Sequence, residues 1–212
     1  MKLHSFFNSS TSYRVRIALA IKGLEYEYLP LNIRTGIQNE EPFTLVNPMS
    51  GVPVLEDGDF RLTQSMAILQ YLDERYPEPK LLPQDVEKKA QILSFCNIIA
   101  CDMHPVNNIK VLKYLTQELK ITEEQKTAWY QHWITKGFTA IERKLEESYN
   151  GTFCFGDELS LADVCLVPQY ANAERFGCDL EEFVLCKKVF DYCTGLEAFK
   201  KAEPKQQPDF MA

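Results

Sequence analysis

The sequence predicts two joined domains of different class: an α/β unit over residues 1–80 and an all-helical unit over residues 88–212, with a linker at 81–87. Three observations carry this. Strand and helix signals in the first 80 residues follow the order β-α-β-(α)-β-β-α, which makes a compact unit around a small mixed sheet. Pro77, Pro79 and Pro83 fall within seven residues and form a stiff extended connection. Beyond them, every long segment has helical apolar spacing.

In order, a short strand is expected near Lys2 to Phe6, followed by Asn8 and the hydroxyl run Ser9-Ser10-Thr11-Ser12. A helix then spans about Ser12 to Lys22, and Gly23 closes it at C′. Its apolar residues lie all round, Val15, Ala18 and Leu19 on one side and Ile17, Ala20 and Ile21 on another, so it should pack on two faces. Tyr26 to Leu31 reads as a second strand. A polar segment through Gln38 to Glu41 leads to a short helical or loop stretch ending at Asn47-Pro48. The strands Val52 to Glu56 and Phe60 to Leu62 flank Asp57-Gly58-Asp59, a hairpin signal. Thr63 is expected to cap a helix that Pro77 stops. Helical segments follow at Ala90 to Met103, Pro105 to Leu119, Glu123 to Ser148, Leu161 to Phe176 and Glu182 to Lys201, with a loose tail after Pro204.

Composition narrows the function. Of 212 residues, 45% are hydrophobic and 25% charged, as in ordinary globular proteins. The formal charge of −7 is spread over both parts, with 8 Lys/Arg against 10 Asp/Glu in residues 1–80 and 15 against 20 in the rest, which argues against nucleic acid as a partner. Seven cysteines all lie at or beyond Cys96, without C-x-x-C or zinc-ligand spacing. They read as reduced thiols, with no disulfide framework and no metal site expected. No signal-peptide core and no run of 18 apolar residues is present, so no membrane partner is expected and the cytoplasm is the default.

The hydroxyl run carries the chemistry. Ser and Thr at a helix start satisfy N–H groups that have no intrahelical partner, and the same N–H groups and dipole favour an anion or a thiolate. Local pattern alone favours plain capping, since hydroxyl-rich helix starts are common. Pro53 cannot donate to a ladder, so Val52-Pro53 is either an edge position or a cis turn. Gln64-Ser65 at a helix opening can hold a carboxylate or simply cap. Ser160-x-x-Asp163 is a capping-box pattern with a structural role. His104 before Pro105 reads as a packed or capped histidine or as a ligand contact, and Arg175, taken alone, as a solvated helix residue.

These segments together, Ser9-Ser10-x-x-Tyr13-Arg14-Val15-Arg16-Ile17-Ala18-Leu19, Val52-Pro53-x-Leu55, Gln64-Ser65-x-Ala67-Ile68 and Ser160-Leu161-Ala162-Asp163, resemble a zeta-class glutathione transferase, the family of maleylacetoacetate and maleylpyruvate isomerases. The likeness runs over nearly the whole chain. It implies a thioredoxin-like N-terminal domain, an all-α C-terminal domain that forms the substrate pocket, and a homodimer. It also implies glutathione as cofactor, bound by Ser9, Ser10, Thr11, Gln38, Val52, Pro53, Gln64 and Ser65, and by Asp102, Met103, His104, Asn108, Ile109 and Lys110, partly across the dimer interface. The Val52 N–H and C=O would pair with the peptide backbone of glutathione as an added strand, which favours the cis bond. Ser9, with Ser10 and Thr11, is the implied catalytic group. A free thiol near pKa 8.5 is only a few per cent ionised at neutral pH, and one hydroxyl plus a helix dipole can lower it by about one to three units. The implied reaction is thiolate addition to a maleyl compound, bond rotation and elimination to the fumaryl form. Asn8, Lys110 and Arg175 are the implied substrate contacts. Relatives commonly carry Arg at the position of Asn8 and Cys at that of Thr11, and Asn cannot match arginine's charged fork. General glutathione conjugation or dehalogenation, or a non-catalytic interaction role on the same scaffold, are the alternatives.

Overall fold

A computed structural model describes residues 1–211. The elements in chain order are β1 (Lys2–Ser5), α1 (Ser10–Ile21), β2 (Glu27–Pro30), α2 (Phe43–Val46), β3 (Val54–Asp57), β4 (Phe60–Thr63), α3 (Ser65–Arg75), α4 (Val86–Asn97), α5 (Ile109–Gln117), α6 (Glu123–Ser148), α7 (Leu161–Arg175), α8 (Val184–Thr194) and α9 (Glu197–Ala202). The chain divides into two compact units, Met1–Lys80 with Thr194–Ala212, and Leu81–Cys193.

In the first unit four strands lie in the order β2-β1-β3-β4, with β1 parallel to β2 and antiparallel to β3, and β3 antiparallel to β4. Leu3 stands opposite Tyr28 and Leu55 in the middle of this sheet and is fully buried. Gly58 at φ 61 makes the turn between β3 and β4, a conformation that costs glycine nothing. This is the thioredoxin-like unit that the resemblance implies. The two-faced burial expected of α1 is accounted for by α3 and α9, both of which pack on it. At its end, Lys22 sits inside the unit with its Nζ donating to Asp73 at 2.9 Å and to the carbonyls of Tyr76 and Pro79 at 2.7 and 2.9 Å. One buried cation thereby ties the ends of α1 and α3 to the proline-rich connection.

The residues after α8 differ from expectation in two ways. The single helix expected over Glu182 to Lys201 is two, α8 and α9, interrupted at Gly195, where glycine's backbone freedom weakens the helix. The tail after Pro204 is not loose. It forms a 3₁₀ turn at Pro204–Gln206, Gln207 is buried with its amide donating to the Lys201 and Glu203 carbonyls, and Asp209 accepts from the Phe7 N–H and the Tyr28 hydroxyl. Polar side chains that bond backbone groups far away in sequence leave no periodic signal, which is why composition alone made this segment look unattached.

The second unit is helical. α4 packs on α7, and α5 on α6. α7 is buried along most of its length, from Leu161 to Tyr170, and starts with the expected capping box: Asp163 accepts the Ser160 N–H and Oγ–H at 2.8 and 2.9 Å, and also the Cys154 N–H at 2.8 Å. After α4 the chain does not continue as α-helix to Met103; residues Ile98–Met103 form a π-helical turn packed on α6 and α7. None of the seven cysteines forms a disulfide within the described residues. Among the described residues no helix is long and apolar enough to cross a membrane.

Candidate active site

α1 begins earlier than its apolar pattern suggested, and Ser9 is its N-cap, with extended backbone (φ −88, ψ 117) and its Oγ accepting the Ser12 N–H at 3.2 Å. Ser9 Oγ also lies 2.9 Å from Thr11 Oγ1, which in turn lies 2.9 Å from the Val52 carbonyl oxygen. A carbonyl only accepts, so the Thr11 proton goes to Val52 and the proton between the two hydroxyls belongs to Ser9. The three groups form a one-way chain, Ser9 to Thr11 to Val52. In this arrangement the Ser9 hydroxyl holds its proton at the N-terminus of a 12-residue helix, where N–H groups and dipole favour negative charge. A better acceptor arriving there would take that proton's hydrogen bond from Thr11. Ser10 and Ser12 are both buried, and among the described residues the Ser12 Oγ has no hydrogen-bond partner.

Val52 is brought to this hydroxyl chain by a structured turn. Asn47 donates its amide to the Gly51 carbonyl at 2.8 Å and accepts the Met49 N–H at 3.1 Å, and the Val52–Pro53 peptide is cis. The Val52 carbonyl therefore carries a hydroxyl contact from Thr11, one of its two acceptor sites.

The start of α3 is the second feature. Gln64, not Thr63, occupies the N-cap, because Thr63 completes the register of β4 opposite Val54. Gln64 holds φ 70, a region that non-glycine residues occupy at about 1–3 kcal/mol, and its exposed side chain makes no capping bond. Next to it Ser65 is buried and accepts from Arg14 Nη1 at 3.4 Å. A strained backbone, an uncommitted amide, a helix N-terminus and a buried guanidinium meet here, which suits a carboxylate. Gln38, on a 3₁₀ turn, is 7% exposed; its amide donates to the Ile33 carbonyl at 3.1 Å and its Oε1 has no partner.

In the second unit the candidates gather around the start of α5. Asn108 caps it, its Oδ1 accepting the Lys110 N–H at 3.1 Å, and its amide lies 3.2 Å from His104 Nε2. With Oδ1 accepting the Lys110 N–H, the amide nitrogen faces the imidazole. Asp102 and Lys110 are exposed; Met103 is buried against Gly137. Arg175, near the end of α7, is a separate group: its guanidinium is exposed, lies 4.4 Å from the Phe176 ring and bonds Asn172, which donates to the Tyr130 hydroxyl at 2.8 Å. Burial pushes the Tyr130 phenol well above its usual range, so it stays protonated.

Three charged residues that bond the segments around the start of α1 and α3 were given no role by sequence reasoning. Arg14 and Arg16 are 1% exposed on α1. Two arginines on a helix apolar all round were the available signal, since a charge there must be satisfied inside. Asp209 gave none.

A family model described as the glutathione S-transferase N-terminal domain matches residues 1–74. The chain is 44% identical to a probable maleylacetoacetate isomerase of Vibrio cholerae, over 98% of this chain and 97% of the relative, and 44% identical to the maleylacetoacetate isomerase of Mus musculus, over 99% and 95%. Among solved structures, a bacterial zeta-class maleyl pyruvate isomerase in its holo form superposes with a TM-score of 0.97 at 40% identity, covering all of both chains. A maleylacetoacetate isomerase from Methylobacterium extorquens, solved with malonate and glutathione, superposes with a TM-score of 0.96 at 33% identity, again over both whole chains. The chain belongs to the zeta class of glutathione transferases, the enzyme family of maleylacetoacetate and maleylpyruvate isomerases.

Proposed function

We propose that this chain is a glutathione-dependent cis-trans isomerase of a maleyl dicarboxylic compound, with Ser9 as the group that stabilises the thiolate. The observation that carries the reading is the hydroxyl chain at the start of α1, where Ser9 is both N-cap and proton donor. When bound, glutathione supplies the nucleophilic sulfur whose reversible addition to the maleyl double bond permits rotation. Ser9 would turn its hydroxyl from Thr11 to that sulfur, a gain because a bond to an anion is worth about 1.5–3 kcal/mol against about 0.5–1.5 for a neutral pair. Thr11 would keep its proton on Val52, holding that peptide in place. The α3 start, with Gln64, Ser65 and the guanidinium of Arg14 behind it, suits the γ-glutamyl carboxylate, and the Val52 backbone suits the cysteinyl peptide group. Gln38 with its open acceptor, and Asp102, Met103, His104, Asn108, Ile109 and Lys110 of the helical unit, complete the proposed glutathione contacts. Asn8, Lys110 and Arg175 are the proposed substrate contacts, and Arg175 is favoured by its exposed guanidinium. The first unit would thus bind glutathione and the helical unit form the substrate pocket, in a cytoplasmic homodimer. Sedimentation at micromolar concentration as a monomer would refute the assembly.

Asn8 supports a second reading, general glutathione transfer to small electrophiles, because a neutral amide stands where a cation would hold a substrate carboxylate. Parallel assays of wild type and Asn8→Arg with maleylpyruvate or maleylacetone and with a halogenated conjugation substrate decide between them. The isomerase reading expects wild-type isomerisation, and a rise of about 10- to 150-fold in kcat/KM for Asn8→Arg. Conjugation of the halide without isomerisation of either maleyl compound would replace it with the general transferase.

A further inference from the structure

Between β1 and α1 lie Phe6, Phe7, Asn8 and Ser9; the Ser9 N–H donates to the Phe6 carbonyl at 3.0 Å, and the Ser9 carbonyl accepts the Tyr13 N–H of α1 at 2.9 Å. Two charged side chains make further contacts to the loop backbone. Arg16, buried on α1, donates from Nη1 to the Phe6 carbonyl at 3.3 Å and to Ser5 Oγ at 3.2 Å, from Nη2 to the Phe7 carbonyl at 3.0 Å, and from Nε to the Ala202 carbonyl at the end of α9 at 3.0 Å. Asp209 reaches back from beyond α9: its Oδ2 accepts the Phe7 N–H at 3.0 Å, and its Oδ1 accepts the Tyr28 hydroxyl at 2.6 Å. The next residue, Phe210, sets its ring edge-on to Phe7 at 5.4 Å. Phe7 is therefore gripped by its carbonyl from α1 and by its N–H from a residue 202 positions later, and the two residues that follow it are Asn8 and Ser9.

We propose that Asp209 is a positioning residue of the active site, holding the Phe7 peptide from the segment after α9 so that Ser9 presents its hydroxyl at the N-terminus of α1. This rests on the preceding assignment of Ser9. The geometry favours positioning over a direct electrostatic role. A carboxylate beside a thiolate opposes it, whereas a carboxylate aimed along the Phe7 N–H, with its second oxygen fixed by Tyr28, restrains the loop in direction as well as distance. α9 is already joined to α1 through Arg16 and Ala202, so anchoring of α9 leaves Asp209 unneeded for that contact.

Asp209→Ala and Asp209→Asn separate the possibilities. Asparagine keeps an acceptor for the Phe7 N–H and can donate its amide to the Tyr28 oxygen, so it preserves geometry while removing charge. In the ligand-free protein, amide hydrogen exchange over residues 5–10 should quicken by about 10-fold or more in Asp209→Ala and stay near wild type in Asp209→Asn. With glutathione bound, Asp209→Ala should raise the thiol pKa, followed by thiolate absorbance against pH, by about one unit, and lower kcat about 10-fold at neutral pH with a smaller change in KM for glutathione. Asp209→Asn should restore both. Unchanged exchange in Asp209→Ala overturns the proposal, as does faster exchange with wild-type thiol acidity and kcat, which would make the contact merely structural. An Asp209→Asn variant as impaired as alanine would overturn it in favour of a charge effect. A wild type that binds no glutathione refutes the glutathione-dependent function instead, and the exchange result then decides by itself whether Asp209 anchors the loop.

Discussion

On the proposed function Ser9 carries two separable roles in one side chain, and substitution should pull them apart. As N-cap it accepts the Ser12 N–H at 3.2 Å, a bond whose loss on truncation costs about 0.5–2 kcal/mol of stability. As donor it has one proton, given to Thr11 at 2.9 Å in the absence of a better acceptor. Transfer of that hydrogen bond to a thiolate stabilises it by about 1.5–3 kcal/mol, or about one to two pKa units of the thiol. Ser9→Ala removes both, so it should lower the melting midpoint modestly and reduce turnover at neutral pH by about 10- to 150-fold. Ser9→Asp keeps the cap and adds a charge that suits the helix dipole, yet cannot donate as a carboxylate and repels a thiolate. It should be at least as stable as Ser9→Ala and less active. Ser9→Thr keeps both functions and should be close to wild type. Thermal unfolding and steady-state kinetics on the four proteins, with the thiol pKa of bound glutathione read from thiolate absorbance, test this. Activity that tracks stability across the series, or a Ser9→Asp enzyme as active as wild type, would refute the assignment of the donor.

Asp163 should matter for stability and not for chemistry: it is fully buried and takes hydrogen bonds from the Cys154 N–H and from Ser160, so Asp163→Ala strands two buried N–H groups and should cost about 2–4 kcal/mol by denaturant unfolding, with activity per folded molecule unchanged. At Gly137 an added Cβ would lie 2.2 Å from Met103 Cγ, so Gly137→Ala should gain about 1 kcal/mol of helix propensity, lose about 1–3 to overpacking, and raise the KM for glutathione by displacing Met103; an unchanged KM would remove Met103 from the site. Glu56 is held below the usual carboxylate range by its hydrogen bond from His4, 3.1 Å away, with Arg61 adding to it. A depressed folded-state pKa gives stability that is full above the unfolded value of 4.5 and lost as pH falls through the folded one. Glu56→Gln should therefore lose less stability than wild type between about pH 6 and about pH 3, and parallel pH profiles would contradict the pairing.

Much of the first unit was legible because its signals are local. Gly58 between two short apolar runs marks a hairpin, and apolar residues all round α1 called for two packing partners, found as α3 and α9. The capping box Ser160-x-x-Asp163 and the limits of α6 were legible for the same reason, since caps are written within four residues of the helix they start. Boundaries set by tertiary contact were not. Thr63 looks like a cap but is claimed by pairing with Val54, and Gln64 takes its place at φ 70. The π-helical turn before His104 looks like plain helix, because an inserted residue in a turn has no residue signature of its own. In the site, the hydroxyl run could be read as a helix start suited to an anion. The direction of the Ser9 to Thr11 to Val52 chain could not, because it depends on a carbonyl supplied 41 positions after Thr11. Asp209 is the extreme case, an acid in an unpatterned segment whose partners are a strand tyrosine and a loop N–H near the opposite end of the sequence.

Isomerisation of maleylpyruvate or maleylacetone by the purified protein, with glutathione supplied far below the substrate concentration, decides whether glutathione is recycled at Ser9. A thiolate held by Ser9 that adds and is then released predicts complete conversion to the fumaryl form, with glutathione fully recovered, no conversion without it, and a deep loss of rate in Ser9→Ala. Conversion that proceeds equally without glutathione, or that stops when glutathione has been consumed as a conjugate, would contradict it.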